Sequence, residues 1–135
     1  MRRLVLTRLA VVLSVALLPH CAPGEVEGGP EDTVRTFYRH LNEESYDDAK
    51  RLYDDAVLQV LDDPESPEEG FRAWVQQETK NGIVSKLDIS KATVEESAAT
   101  LEYAILYDDG TRERRSVTLT RHDDRWKLGF INKAR

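Results

Sequence analysis

The chain has 135 residues, with 25 acids against 19 lysines and arginines and a net charge of −6 at neutral pH. An acidic surface repels phosphate backbones, so nucleic-acid binding is excluded, and electrostatic adhesion to anionic lipid is disfavoured for the same reason. This length buries one core and not two, and no internal repeat is visible.

Residues 1–20 read as a signal peptide. Met1 to Arg8 is basic with no acid, and from Leu9 to Leu18 every residue except Ser14 is apolar. The run falls short of the roughly 20 apolar residues that cross a bilayer. A basic start, a short apolar stretch and a polar exit are the layout of an export signal. Its removal takes away three arginines and brings the net charge from −6 to −9.

The single cysteine, Cys21, follows in Leu18-Pro19-His20-Cys21. This resembles the lipobox of bacterial lipoproteins. The resemblance implies cleavage before Cys21, a lipid on its thiol, and attachment to a cell-envelope membrane on the periplasmic or extracytoplasmic side. Leu18 fits the pattern, whereas Pro19 and His20 depart from it. Cleavage after Gly24, in Ala22-Pro23-Gly24, is the alternative and gives a soluble secreted protein. A lone thiol has no disulfide partner within the chain. Residues 21–29 are otherwise small, acidic and glycine-rich, as in a flexible tether, and residues 30–135 read as a single α+β domain.

A first helix starts near Pro30, with Glu31 and Asp32 at the positive end of its dipole. Val34, Phe37, Tyr38 and Leu41 form its apolar stripe. Ser45, with Asp48 three residues on, starts a second helix with the stripe Ala49, Leu52, Tyr53 and Ala56; Asp62-Asp63-Pro64 ends it. Ser66-Pro67-Glu68-Glu69 starts a third, on which Phe71, Trp74, Val75 and Glu78 share a face. Asn81-Gly82 closes it.

The period then changes from 3.6 to 2. Ile83 to Val94 reads as a first strand and Ala98 to Tyr107 as a second, with Leu101, Tyr103, Ile105 and Tyr107 on one face. A three-residue loop with a left-handed Gly110 pairs Leu101 with Val117 and Glu102 with Ser116, which keeps apolar residues together. A turn at His122-Asp123-Asp124-Arg125 pairs Arg121 with Trp126, Leu119 with Leu128, and Val117 with Phe130. The expected fold class is α+β: three N-terminal helices packed on a curved antiparallel four-stranded sheet.

Thr33-Val34-Arg35-Thr36-Phe37-Tyr38-Arg39-His40-Leu41, then Ser45-Tyr46-Asp47-Asp48-Ala49-Lys50-Arg51-Leu52-Tyr53, and Arg125-Trp126-Lys127-Leu128 near the end carry a resemblance. Over roughly residues 30–132 the chain resembles the nuclear transport factor 2-like superfamily, and within it small bacterial lipoprotein domains of the cone-shaped fold. That implies a cone of helices and sheet. The fold hosts isomerases, dehydratases, carriers and adaptors, so it supplies no function by itself.

No catalytic set is expected. His40 points off the apolar stripe, and His122 lies in a turn with Asp123 and Asp124. Glu102 and Asp88 face outward, Glu102 towards Ser116 and diagonally Arg114, so neither sits in the apolar pocket that would raise a carboxylate's pKa. No metal-ligand spacing, nucleophile triad or phosphate loop appears, and no cofactor is expected. Arg112, Arg114 and Arg115 form a small basic cluster. Tyr38, Tyr53, Trp74, Tyr103, Tyr107, Trp126 and Phe130 fall on core faces. They either wall a pocket for a small apolar ligand or fill the core of a small domain.

The leading expectation is an exported, lipid-anchored, non-catalytic binding or accessory domain. One alternative is a homodimer or partner module that uses the open sheet face. The other is a small-molecule isomerase or dehydratase, which needs a buried carboxylate in the cone.

Overall fold

The computed structural model describes residues 28–61 and 70–134. The signal segment, Cys21, residues 22–27 of the tether, the Asp62-Asp63-Pro64 stop and the Ser66-Pro67 helix start lie outside the described residues. Helix α1 (Pro30–Asn42) begins at its proline, with Glu31 and Asp32 in its first turn. Asp32 reaches back to accept the Gly29 N–H at 3.2 Å, which secures the entry of the chain. Val34, Phe37, Tyr38 and Leu41 are all buried, as their spacing predicts.

The expected second helix is two helices, α2 (Tyr46–Arg51) and α3 (Asp55–Leu61). Backbone bonding explains the break. Leu128 donates to the Leu52 carbonyl at 2.8 Å, and Asp54 donates to the Leu128 carbonyl at 2.9 Å. Tyr53 thereby forms a parallel bridge to Leu128 in place of a helical turn. Asp54 restarts the helix, its Oδ1 accepting the Ala56 N–H at 2.9 Å. The Ser45–Asp48 capping box does not form: Ser45 makes no side-chain cap bond, and Asp48 pairs with Arg51 at 2.9 Å. Helix α4 (Gly70–Thr79) buries Phe71, Val75 and Glu78.

Five strands follow among the described residues, not four. The expected first strand is split by Ser90-Lys91-Ala92 into β1 (Val84–Ile89) and β2 (Thr93–Glu95), both paired with β3 (Ala98–Tyr107). β4 (Arg112–His122) and β5 (Arg125–Lys133) complete an antiparallel sheet in the order β1-β3-β4-β5. The β3–β4 register pairs Leu101 with Val117 and Glu102 with Ser116. Gly110 takes φ 87°, the left-handed conformation the three-residue loop requires.

The β4–β5 register begins as expected, with Arg121 opposite Trp126 and Leu119 opposite Leu128. It then shifts by one, so that Val117 faces Ile131 and not Phe130. An extra residue on β5 at Gly129-Phe130 is a β-bulge. A Cβ at Gly129 would lie 2.4 Å from the Thr118 carbonyl oxygen, so only glycine admits this approach of the two strands. The bulge rotates Phe130 away from the core, where it is 50% exposed.

The inner face of the sheet packs on α1, α3 and α4 through one buried cluster, in which Phe37, Ile105, Leu119 and Leu128 are fully enclosed. Side chains of this size contribute about 1.5–3 kcal/mol each on burial. Among the described residues no helix is long and apolar enough to cross a membrane.

Candidate functional site

Two inner-face features meet inside the cone: an aromatic cluster and an ionic one. Phe37 of α1 contacts Tyr38, Tyr53 and Trp74 with ring centroids 5.2, 5.4 and 5.7 Å apart. Trp74 stacks on Phe71 at 5.9 Å. These edge-to-face and stacked contacts are the favourable ring geometries, and they fill the space between α1, α4 and the α2–α3 break. Tyr38 and Tyr103 join hydroxyl to hydroxyl at 3.0 Å in the buried interior.

The structure therefore brings together four of the aromatics singled out by sequence: Tyr38, Tyr53, Trp74 and Tyr103. Trp74 is partly exposed. Tyr107 is buried further along β3, beside the ionic cluster. Trp126 lies at the far end of the sheet, with the Arg121 guanidinium 5.7 Å over its ring. Phe130 points out of the cone, because the Gly129 bulge reverses its face.

The ionic cluster is the feature that sequence reasoning undervalued. Arg115 was grouped with Arg112 and Arg114, but its neighbours on either side face the other way. Pairing with Tyr103 places Arg115 on the inner face, and Glu113 is inner too, opposite Ile105. Arg115 is 6% exposed and donates from Nη2 to Glu78 Oε1 at 3.1 Å and to a Glu113 carboxylate oxygen. Glu78, also 6% exposed, comes from the end of α4. The signal was available: Val117 faces inward, so Arg115 and Glu113, two and four residues before it, must do so as well.

Burial pushes the Glu78 carboxyl above its ordinary value; the Arg115 guanidinium works against this and Glu113 adds to it. Burial also opposes the charge on Arg115, yet the Glu78 and Glu113 carboxylates outweigh it and hold the guanidinium charged. Burial raises the tyrosines Tyr38, Tyr53 and Tyr103 well above the phenol range. Burial together with the Glu78 and Glu113 carboxylates pushes Tyr107 up to about 12. All four phenols are neutral near pH 7 and serve as hydrogen-bonding groups. Glu78 Oε2 and Arg115 Nε are buried with no hydrogen-bond partner, and the Tyr107 hydroxyl lies beside the Arg115 guanidinium. One acceptor, one cationic donor and one hydroxyl thus share this part of the interior.

Apart from His40, whose buried Nδ1 has no hydrogen-bond partner, the other polar candidates are accounted for locally. Asp88 is held by Lys86 and Arg112, each at 3.2 Å, on a side chain 45% exposed. Glu102 lies 3.8 Å from Arg114 and is 63% exposed. Both stand outside the cone, so neither is a buried carboxylate; the carboxylate buried inside is Glu78. His40 is less solvated than expected, its side chain 14% exposed and Nδ1 4.0 Å from Glu43. His122 turns from Asp123 and Asp124 to bond Asp54 at 2.8 Å. No group of three or more metal-ligating side chains occurs among the described residues.

An open groove of about 260 Å³ lies outside the cone, between α1 and β1, lined by residues that include Arg35, Arg39, Asn42 and Lys86.

No family model matches the chain, and no curated protein matches it. Solved structures do. A Campylobacter jejuni protein named as an NTF2-like transpeptidase matches with a TM-score of 0.50 at 18% identity, over 75% of this chain and 97% of that one. A SEC-C motif containing protein from Rhodopseudomonas palustris matches with a TM-score of 0.57 at 13% identity, over 85% and 83%. Identities this low speak for architecture alone, and the architecture is clear: the chain has an NTF2-like α+β fold, with four helices on a curved five-stranded antiparallel sheet among the described residues.

Proposed function

We propose that this chain is an exported, lipid-anchored, non-catalytic binding domain whose ligand engages the ionic cluster inside the cone. The observation that carries the reading is the pair of buried atoms without partners, Glu78 Oε2 and Arg115 Nε, with the Tyr107 hydroxyl beside the Arg115 guanidinium. Leaving such atoms unsatisfied costs about 1–3 kcal/mol each, which a ligand presenting one donor and one acceptor would recover. The surrounding rings favour a ligand with an apolar body behind that polar head. Binding is favoured over catalysis because Glu78 is tied through Oε1 to Arg115 and no nucleophile stands beside it. Export and anchoring rest on the signal segment and on Cys21, and the acidic surface leaves the lipid as the means of attachment.

Native mass spectrometry of the full chain, extracted from membranes in mild detergent, tests both halves. The expected mass is that of residues 21–135 with a diacylglyceryl group and a further bound molecule. That molecule should be lost in Glu78→Gln and in Tyr107→Phe. A mature chain starting at Glu25 refutes the anchor, and a bare protein mass refutes the ligand. Phe130, 50% exposed on the outer side of the sheet, favours a second reading in which that face binds a second copy or a partner. Sedimentation showing a monomer at every concentration would remove the homodimer.

A further inference from the structure

The groove between α1 and β1 is separate from the cone interior. Arg35, Arg39 and Asn42 are spaced i, i+4 and i+7 on α1, so they share one helix face; Val84, Ser85, Lys86 and Leu87 of β1 form the opposite wall. The polar groups of this lining sort into two kinds. Asn42 is fully engaged: its Nδ2 donates to the Val84 carbonyl and its Oδ1 accepts the Val84 N–H, each at 2.9 Å. Ser85 donates to the Leu106 carbonyl at 3.0 Å, and the Tyr38 hydroxyl is turned inward to Tyr103. The remaining polar side chains are Arg35, Arg39 and Lys86, and all are cations.

Their ion pairing is incomplete. Lys86 shares Asp88 with Arg112. Arg35 and Arg39 have no carboxylate within ion-pair distance among the described residues; Glu31, one turn before Arg35, acts on it only from longer range. Elsewhere Arg51, Arg112, Arg114 and Arg115 each hold a carboxylate. The groove thus offers donors and positive charge, with Val84 and Leu87 as an apolar wall.

We infer that this groove is a binding site for a phosphate-type oxyanion, held by the guanidinium groups of Arg35 and Arg39 and by the Lys86 ammonium. Guanidinium donors match the geometry of such oxygens two at a time. The local cationic field draws an anion that the acidic remainder of the surface repels. The anion is either a free phosphate compound or the headgroup of a phospholipid, and the chemistry of recognition is the same.

The test is amide and arginine-side-chain NMR of the full chain in a neutral detergent, titrated with phenyl phosphate. A parallel arm, run without detergent on the Cys21→Ser chain so that no lipid anchor intervenes, measures co-sedimentation with vesicles of phosphatidylglycerol or phosphatidylcholine. Saturable shifts at Ser85, Lys86 and Leu87 and at the Nε–H groups of Arg35 and Arg39 are expected. Each arginine-to-glutamine change should weaken binding roughly tenfold, with the melting temperature unaltered. Lys86→Gln, on a different element, should weaken it as well. Loss of phosphatidylglycerol binding in Arg35→Gln/Arg39→Gln, without phenyl phosphate binding in solution, identifies the headgroup. Phenyl phosphate binding that the same variant loses identifies the free compound. Shifts scattered over other basic residues, or equal binding by wild type and variant in both arms, overturn the site.

Discussion

Replacing Arg115 with methionine removes one cation from between two carboxylates while preserving much of the side chain's apolar volume. Glu78 and the part-buried Glu113 are then left facing each other with only the weaker fields of Lys133 and Lys80 as counter-charge. Breaking a buried pair in this way costs about 3–5 kcal/mol, a large share of the roughly 5–15 kcal/mol that holds a domain together. In a domain of this size the melting temperature should fall by more than about 10 °C. The loss should depend on pH with a definite sign. The folded-state pKa of Glu78 lies above its ordinary value, so its contribution is fully present below the unfolded value and is lost as pH rises through the folded one. Without Arg115 the folded value moves higher still. Urea unfolding should therefore show a large deficit at about pH 8 and a smaller one at about pH 4.5. Glu78→Gln/Arg115→Met, which leaves no charge on Glu78's position, should recover at least about half the loss at the higher pH. A deficit equal at both pH values, or a double variant no more stable than Arg115→Met, would refute the assignment of Glu78 and Arg115 as a coupled buried pair.

Three further outcomes are expected. Gly129→Ala forces a Cβ against the Thr118 carbonyl and should cost about 1–3 kcal/mol in thermal melts, with faster amide exchange across β4–β5; an unchanged melt would mean the bulge is not fixed by this contact. Asp54→Ala removes the cap on Ala56 and the partner of His122, and should cost about 0.5–2 kcal/mol. The Ala56 N–H, then His122, holds the Asp54 carboxyl below its ordinary value, so this stability is present above the ordinary carboxylate range and lost as pH falls through the lowered value; a cost that persists in strong acid contradicts it. Tyr38→Phe should cost about 1–3 kcal/mol by stranding the Tyr103 hydroxyl, and Tyr38→Phe/Tyr103→Phe should be the more stable of the two in chemical denaturation.

The pattern of residues made most of the fold readable, and where it failed the cause was tertiary. The helix stripe of α1 and the β3–β4 register follow from apolar spacing and from the Asp108-Asp109-Gly110 loop, which are local signals. The α2–α3 break does not, because it depends on Leu128, more than seventy residues away, taking over the backbone groups at Leu52 and Asp54. Gly129 was a visible warning in a strand, yet its meaning depended on where Thr118 stood. The cone's ionic cluster was half legible. Glu78 shared a helix face with Phe71 and Val75, and Arg115 shared a strand face with Val117, but a charged residue reads as solvated until its partner is placed opposite. The aromatic residues were easier to place than to interpret: Tyr38, Tyr53 and Trp74 each pack against other rings.

The amide of Asn42 has a consequence for how the sheet ends. By donating to and accepting from Val84, one side chain imitates a single residue of a neighbouring strand. A real strand would present a second row of open N–H and C=O groups on its far side, and so pass the invitation to pair on to the next chain. An asparagine has no far side. Near the other end of the split edge strand Glu31 accepts the Ala92 N–H at 2.9 Å, so α1 occupies backbone groups on both sides of the remaining stretch. The helix that supplies much of the core therefore also blunts both ends of this edge of the sheet, where a further strand would have to begin pairing.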